Sequence, residues 1–485
     1  MHISSLPSRW GIGTFGQAAY AFCDFLAASG QSVWQVLPLG PTGFGDSPYQ
    51  SFSTHAGNPY FIDLDLLAED GLLESADYEN EDWGDDPLCV DYGKLYLFRL
   101  PVLHKAWERY QKRDTTPFDN FYKAQSKWLK PYALFMAIKD SFAGLPWQLW
   151  QESFCHAEAD TLAAAELLLA DEIRFHAFLQ YLFTEQWQEL KRYANVRGIF
   201  IMGDLPIYVA PDSADVWANP QLFDLDAALA QRSLAGCPPD VFSEDGQLWG
   251  NPIYRWDVMA QDGYVWWTNR LRAACETVDM LRLDHFIGFE EYYTIPAGQE
   301  NAREGAWQKG PGVALFHAAH EAQGVLPLIA EDLGILSPQV RELLAELGFP
   351  GMKVLEFAFG EDNSEHMPHN HKQNLFLYAG THDNPPIAAW FDELPEWERD
   401  RCAAYLGLRP GESVVWAMLR LLQGSVADTA IMQMQDALAL GADSRMNIPG
   451  TLGGNWCWRM DKDALSTELA ESLRALARLY GRVVY

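Results

Sequence analysis

The sequence predicts an α/β fold, and more specifically a closed barrel of parallel strands that alternate with helices. Short apolar runs of strand length recur along the chain, and polar or acidic residues directly follow them. Stretches with helical spacing lie between these runs, which gives a repeated strand-then-helix order. Because charged residues stand at the end of strand after strand, a barrel with one active rim explains the pattern better than an open sheet with a single switch point.

Six apolar runs have the length of a buried parallel strand. In chain order they are SVWQVLPLG around Trp34, GIFIMGDLP around Met202, VDMLRLDH around Leu281, LPLIAEDLG around Ile329, MKVLEFAF around Leu355 and LFLYAGTHDN around Tyr378. The clearest helical pattern recurs at Phe175, Phe178, Leu179, Leu182, Phe183 and Leu190 and ends at Gly198.

Two long connections interrupt the strand-helix repeat. Residues 59–170 are too long for a barrel loop and carry helical runs without a strand pattern, so we expect a mainly helical insertion. Residues 205–277 are rich in Pro, Gly, Asp and Trp, as functional loops over a barrel mouth often are. We therefore divide the chain into a barrel start over 1–58, the helical insertion, and the rest of the barrel over 171–485, with a smaller insertion at 385–425.

Composition and charge exclude several classes of function. Hydrophobic residues make up 48% and charged residues 21% of the chain, which suits a large folded core and not a disordered protein. A net charge of -31 opposes binding to a phosphate backbone, so no nucleic acid partner is expected. We find no signal-peptide pattern and no apolar run near the ~20 residues of a membrane span, so we expect a cytoplasmic location without membrane contact.

Cofactor signals are also missing from the sequence. The 7 cysteines show no CxxC pair and no metal-finger spacing, which argues against a disulfide framework or a structural zinc site. No Gly-rich phosphate loop of the Rossmann or P-loop kind occurs, so we expect no organic cofactor.

Three predicted strand ends offer carboxyl groups. Asp284 ends LRLDH, Glu331 ends LIAED and Asp383 lies in THDN. In a barrel these residues project to one rim, and retaining cleavage or transfer of a glycoside needs two carboxyl groups ~5 Å apart. One such acid alone could equally cap a helix or pair with a lysine, but three at one rim favour catalysis.

Basic residues adjoin these acids. Arg282 stands two residues before Asp284, so strand alternation places both side chains on one face. There the guanidinium would keep the carboxylate ionised, although a purely structural salt bridge explains the spacing equally well. His285 and His382 adjoin two of the acids, but adjacent strand residues point to opposite faces and no third ligand is suitably spaced, so we expect no catalytic metal.

Seven segments, in order over nearly the whole chain, resemble the amylomaltases of glycoside hydrolase family 77. They are GFGDSPYQSFSTHAGNP (43–59), GDLPIYVAPDSADVW (203–217), PPDVFSEDGQLWGNPIY (238–254), RLDHF (282–286), AEDLG (330–334), GTHDN (380–384) and RMNIPGTLGGNWCWR (445–459). A single piece such as AEDLG is weak evidence, whereas the ordered set is specific.

The resemblance implies a TIM barrel of the α-amylase clan with inserted subdomains and no separate C-terminal β-domain. It also implies a retaining 4-α-glucanotransferase. Such an enzyme moves α-1,4-glucan segments from a malto-oligosaccharide donor to the 4-OH of an acceptor glucan or glucose. We expect a monomer or a homodimer, and glycogen turnover and maltose use are both compatible with the sequence.

The resemblance assigns roles residue by residue. Asp284 matches the nucleophile, Glu331 the acid/base, and Asp383 the third carboxylate that stabilises the transition state without bonding covalently. The residues expected to contact sugars are Arg282 and His382 beside the cleaved sugar, Tyr49 and Asp204 on the donor sugar, and Trp249 and Asn447 on the acceptor side.

These roles carry physical requirements. Glu331 must start protonated, so burial beside like charges should raise its pKa, while Asp284 must stay ionised. The loop over 238–254, with Phe242 and Trp249, is expected to fold over the glycosyl-enzyme and to favour a sugar acceptor over water.

Two features depart from the family pattern. Relatives carry a further stretch before the segment matching HISSLPS, and it holds most of the first barrel strand, so we expect a start assigned too late rather than a tolerated clipped strand. After THDN, Pro385 and Pro386 replace the Asp-Thr that the family often has, which removes two backbone donors and could change donor or acceptor preference.

Two other functions stay open. A hydrolase of the same clan would share the catalytic residues and differ only in its products. A catalytically silent glucan-binding protein would keep an aromatic groove, which the 19 Trp, 20 Tyr and 26 Phe could supply. The intact set of three acids argues against the silent protein.

Overall fold

A computed structural model describes residues 1–43, 45–239 and 243–483. Its strands are β1 Val33–Gln35, β2 Phe200–Leu205, β3 Ser233–Cys237, β4 Gln247–Pro252, β5 Met280–Leu283, β6 Glu291–Pro296, β7 Ala306–Lys309, β8 Leu328–Ala330, β9 Gly351–Val354, β10 Leu375–Tyr378 and β11 Thr429–Ile431.

The α-helices surround these strands. They are α1 Gln17–Ala28, α2 Leu64–Glu69, α3 Tyr92–Tyr110, α4 Thr116–Ala124, α5 Ser126–Ser141, α6 Glu152–Cys155, α7 Ala159–Leu168, α8 Ala170–Val196, α9 Ala214–Ala218, α10 Trp256–Met259, α11 Val265–Thr277, α12 Val313–Gln323, α13 Pro338–Leu347, α14 Ile387–Glu393, α15 Glu396–Leu406, α16 Val414–Gln423, α17 Met434–Ala437 and α18 Thr467–Leu479.

The parallel strands form two arcs in barrel order. The first arc runs β1-β2-β5-β8, and the second runs β9-β10-β11. The arcs adjoin where the Ala330 backbone N–H donates to the Pro350 carbonyl at 2.9 Å. This arrangement confirms the predicted α/β class and strand-helix order, and all six predicted strands are present.

The strands follow the predicted barrel order, although no ladder links β11 to β1 in the part of the chain that the structure covers, so the barrel is not closed there. A cavity of about 140 Å³ lies at this opening. The chain start lines it: the Trp34 indole donates to the Met1 carbonyl at 2.7 Å, and the Leu37 backbone N–H donates to His2 Nδ1 at 3.2 Å. Met1 and His2 therefore meet β1 through single hydrogen bonds and not through a strand ladder.

Residues 59–170, where we predicted a helical insertion, contain α2 to α7. Helix α3 begins where the Asp91 side chain accepts the Lys94 backbone N–H at 3.1 Å, which satisfies one of the free donors of its first turn. Trp107 of α3 packs with Phe118 of α4 and Phe178 of α8, with ring centroids 5.7 and 5.1 Å away. Aromatic packing thus joins this region to α8, the helix that leads into β2.

A second sheet, which the sequence analysis did not predict, lies beyond the barrel strands. It is antiparallel, with the order β4-β3-β6-β7. Its first hairpin falls within residues 205–277, where Gly and Pro hide the alternation that normally marks a strand. This sheet supplies Trp249, one of the predicted binding residues.

Among the described residues, no helix combines the length and the apolar character needed to cross a bilayer.

Candidate active site

Four barrel strands deliver the predicted acids and their arginine to one rim. Asp204 lies in β2 and Arg282 in β5, and the parallel register pairs these two residues directly. Asp284 follows the last residue of β5, and Glu331 follows the last residue of β8. Asp383 lies in the loop after β10, so the second arc carries the third carboxyl group.

Arg282 lies between Asp204 and Asp284 and donates hydrogen bonds to both. Its Nη1 donates to both carboxylate oxygens of Asp204 at 2.7 Å and to Oδ1 of Asp284 at 2.9 Å. The Tyr49 hydroxyl donates to Asp204 Oδ2 at 2.8 Å. The Asp204 side chain is fully buried, with 0% of its surface exposed, so the guanidinium offsets a carboxylate that has lost its water. The predicted same-face placement of Arg282 and Asp284 is confirmed.

Two opposing effects set the pKa of Asp284. Burial raises it to about 6, and the opposing charge of Arg282 only partly offsets that effect. The neighbouring Asp204 carboxylate raises the pKa further. Arg282 therefore favours the ionised form of Asp284, as we expected, while burial favours its protonated form.

Glu331 holds its proton to still higher pH. Burial raises its pKa to about 7, and the Asp284 charge adds to this rise against the lowering effect of Arg282. Its two oxygens accept the backbone N–H groups of His285 at 2.7 Å and Leu333 at 2.9 Å. The raised pKa agrees with the expectation for an acid that starts protonated.

His285 supports this geometry through its backbone. Its φ of 49° lies in the left-handed region, which a non-glycine residue adopts at a cost. This conformation follows directly after Asp284 and directs the His285 N–H to the Glu331 carboxyl group. The strained residue therefore connects the two acids along the chain.

Asp383 is more open than the other two acids, with 46% of its side chain exposed. Asn447 Nδ2 donates to Asp383 Oδ1 at 2.6 Å, and His382 Nε2 lies 3.4 Å from Oδ2. The Tyr49 ring stacks on the His382 ring, with centroids 5.2 Å apart. The structure therefore brings Tyr49, His382 and Asn447 together near this carboxylate.

Arg445 and Trp456 were not predicted as site residues, although both lie in the segment 445–459. Arg445 Nη2 donates to the Asp383 carbonyl at 2.6 Å. The Trp456 ring lies 5.8 Å from both the Tyr49 and the His382 rings. No spacing rule could have linked these residues to Asp383, because the contacts join loops that are distant in sequence.

Trp249 of β4 reaches the catalytic rim. Its ring meets the His285 ring edge to face, with centroids 4.8 Å apart, and it also contacts Tyr208. Phe242, the other aromatic residue expected in this lid, lies outside the described residues. The antiparallel sheet therefore places one aromatic side chain beside the residue that follows Asp284.

A cavity of about 230 Å³ opens beside these groups. The residues that line it include Tyr49, Asp204, His55, Trp128, Tyr208 and Arg270. Across residues 1–43, 45–239 and 243–483, no three His, Cys, Asp or Glu side chains gather as metal ligands would.

Residues 1–465 match the family described as 4-alpha-glucanotransferase. A 4-alpha-glucanotransferase of Streptococcus pneumoniae is 50% identical over 100% of this chain and 96% of its own length. The one of Clostridium butyricum is 45% identical over 99% of this chain and 100% of its own length. A solved amylomaltase from Streptococcus agalactiae, in complex with acarbose, superposes with a TM-score of 0.98 at 45% identity, covering 100% of this chain and 99% of that chain.

Proposed function

The chain belongs to the 4-alpha-glucanotransferase family, and from this premise we propose how its residues transfer a glucan. The protein is a retaining 4-α-glucanotransferase that acts on α-1,4-glucans. We infer that a malto-oligosaccharide is the donor and that a second glucan or glucose is the acceptor, in line with the acarbose bound by the Streptococcus agalactiae amylomaltase.

We assign the bond-breaking step to Asp284 and Glu331. The Asp284 carboxylate attacks the anomeric carbon while the Glu331 carboxylic acid gives its proton to the glycosidic oxygen. The reducing-end fragment of the donor leaves, and the rest of the donor remains bound to Asp284 as a glycosyl ester. The Glu331 carboxylate then takes the proton from the acceptor 4-OH, whose oxygen displaces Asp284 and restores the original configuration.

One observation carries this assignment. Asp284 and Glu331 follow neighbouring parallel strands, and Arg282 donates to Asp284 whereas Glu331 is buried and accepts two backbone N–H groups, in line with the higher pKa of Glu331, about 7 against about 6. A site that needs one carboxylate and one carboxylic acid at the same time needs this order of pKa values. The alternative order would leave the nucleophile protonated and the acid ionised.

Asp383 takes the third role in this proposal. Positive charge develops on the sugar ring in the oxocarbenium-like transition state, and a fixed carboxylate stabilises that charge. Asp383 is hydrogen-bonded by Asn447 and stays partly exposed, which supports an ionised group facing a substrate.

Transfer must also outcompete hydrolysis. Trp249 lies against His285, next to the carboxylate that would carry the glycosyl ester, and we propose that its ring limits the access of water there. Trp249→Ala should raise the share of hydrolysis in the products formed from maltotriose. Trp307→Ala is the matched control, because Trp307 is a half-exposed residue of the same antiparallel sheet. An unchanged product ratio in the Trp249 variant would contradict this role.

The experiment that tests the assignment uses maltotriose alone, with products separated by length over time. Glucose together with maltopentaose and longer chains indicates transfer, whereas glucose and maltose with nothing longer indicates hydrolysis. Asp284→Asn and Glu331→Gln should each abolish turnover, while the exposed substitutions Asp400→Asn and Glu342→Gln should not. Substantial turnover in either catalytic variant would overturn the assigned roles.

A further inference from the structure

Asp383 is held by residues 445–447, of which Arg445 has no role in the reaction scheme. Residues 445–447 make three hydrogen bonds to the dipeptide His382–Asp383. Asn447 Nδ2 donates to Asp383 Oδ1 at 2.6 Å, the Asn447 backbone N–H donates to the His382 carbonyl at 3.1 Å, and Arg445 Nη2 donates to the Asp383 carbonyl at 2.6 Å. The segment therefore fixes both the backbone and the carboxylate of Asp383.

Arg445 also fixes the residue that orients the carboxylate. Its Nε donates to the Asn447 carbonyl at 2.8 Å, while its Nη2 reaches Asp383. The planar guanidinium thus spans the two loops with two separate donors in a rigid geometry. A lysine at this position would keep the charge but could not reproduce both hydrogen bonds.

On the far side of the loop that carries Asp383, the first backbone N–H after the two prolines, that of Ile387, donates to Asp436 Oδ1 at 2.7 Å. Pro385 and Pro386 lack backbone N–H groups, so they cannot donate to a neighbouring element. Inside the loop, the Thr381 backbone N–H and hydroxyl both donate to Asn384 Oδ1, at 2.9 and 2.8 Å. These bonds define the turn but leave the Asp383 carboxylate to Asn447 and the nearby His382 ring.

Residues 445–447 are themselves anchored to the fold. Met446 is buried, and its carbonyl accepts the Trp456 backbone N–H at 2.7 Å. The exposed loop over 448–455 begins directly after Asn447, and the hydrogen bond between Met446 and Trp456 closes the base of that loop.

From this geometry we propose that Arg445 is a positioning residue for the Asp383 carboxylate. It acts through Asn447 and through the backbone of the Asp383 loop, without touching the sugar. The inference rests on the proposed role of Asp383 as the carboxylate that stabilises the transition state. A residue that sets this geometry should affect kcat and leave ground-state binding largely intact.

The test compares Arg445→Lys and Arg445→Met in the full-length enzyme. Both should lower kcat for maltotriose about tenfold to a hundredfold, the cost of misplacing a catalytic group by ~1 Å, with KM changed less than about threefold. Arg409→Met, at an exposed arginine, serves as the matched control. Full rescue by lysine would show that only the charge matters and would overturn the proposal.

A double-mutant cycle separates positioning from general destabilisation. An α-glycosyl fluoride donor needs no proton on its leaving group, so its transfer rates stay measurable when Asp383→Asn slows the reaction. Arg445→Lys should add little further loss in the Asp383→Asn background, because the group that it positions is already impaired. An equal loss in both backgrounds would overturn the proposal, and thermal unfolding of each variant identifies any that fail to fold.

The same cycle distinguishes this inference from the proposed function. If Asp383→Asn alone keeps a near-normal rate, the role of Asp383 is wrong. If Asp383→Asn is impaired and Arg445→Lys is not, the assigned function stands and only the positioning role of Arg445 fails.

Discussion

Replacing Arg282 by Gln tests the electrostatic centre of the site most directly. The guanidinium holds the buried Asp204 through two 2.7 Å contacts and Asp284 through one of 2.9 Å. Removing one partner of a buried ion pair leaves an uncompensated charge and costs about 3–5 kcal/mol of unfolding free energy. We therefore expect Arg282→Gln to be folded but strongly destabilised.

The same substitution should move the pH dependence of the reaction. Arg282 is the stronger of the two groups, Arg282 and His382, that oppose the rise in the Asp284 pKa, which already reaches about 6. Without the guanidinium that pKa rises further, so the nucleophile is ionised only at a higher pH. The acid limb of kcat/KM should therefore move to higher pH. At a fixed pH on that limb, the rate falls about tenfold for every tenfold drop in the ionised fraction of Asp284.

Two measurements check this prediction. Urea unfolding gives the loss of free energy, and initial rates with maltotriose over the acidic to mildly alkaline range give the acid limb. Arg99→Gln is the matched control, because Arg99 is equally buried but donates to the carbonyls of Tyr60 and Ile62, so it should destabilise without moving the limb. A loss below about 1 kcal/mol, or an acid limb unchanged from the wild type, would refute the reasoning.

Three further predictions follow from buried groups near the rim. The wild-type kcat/KM should peak in a narrow range between about pH 6 and 7, since Asp284 must be ionised and Glu331 protonated; a rate that stays flat well into the alkaline range would contradict this. Burial raises the pKa of Glu356 well above its usual range, so the folded state keeps a proton that the unfolded state releases. The stability that this proton confers is complete below the pKa of the unfolded chain and is lost as pH rises toward the folded pKa. The free energy of unfolding of Glu356→Gln should therefore increase relative to that of the wild type, by up to ~1.4 kcal/mol per pH unit above about pH 5. Urea unfolding at several pH values measures this difference, and a difference that does not change with pH would count against the prediction. Gly380→Ala should lower kcat, because a Cβ there would lie 2.6 Å from Glu356 Oε1 and 3.1 Å from Gln433 Nε2 and would displace the loop before Asp383; a wild-type kcat in this variant would be the opposing result.

The parts of the site that strand geometry fixes were predictable. The spacing of Arg282 and Asp284 predicted a shared face, and the structure confirms it with a direct hydrogen bond. Strand ends also indicated which acids would meet at one rim. The partner strand was not predictable: the register that sets Asp204 opposite Arg282 depends on how two distant segments align, and a single sequence carries no signal for that.

The remaining differences have equally physical reasons. Strand β11 is only three residues long and partly buried, so it lacks the apolar run that marked the other parallel strands. The proximity of Arg282 to Asp284 was visible in the sequence, whereas the burial that raises the Asp284 pKa was not. The contact between Asn447 and Asp383 was not predictable either, because it depends on the packing of two loops that are distant in sequence.

Because the parallel strands form two arcs, two parts of the site can differ in their stability against local unfolding. The nucleophile, the acid/base and Arg282 all belong to the four-stranded arc, whereas Asp383 depends on the three-stranded one. Proteins open locally in cooperative units, and we expect the three-stranded arc, which no ladder among the described residues joins to the four-stranded one, to open first. Opening of the small arc withdraws the stabilising carboxylate and leaves the covalent pair assembled. At mild heat or low denaturant we therefore expect a slow enzyme in which Asp284 and Glu331 are still in place. The backbone amides of β10 should exchange with solvent before those of β5.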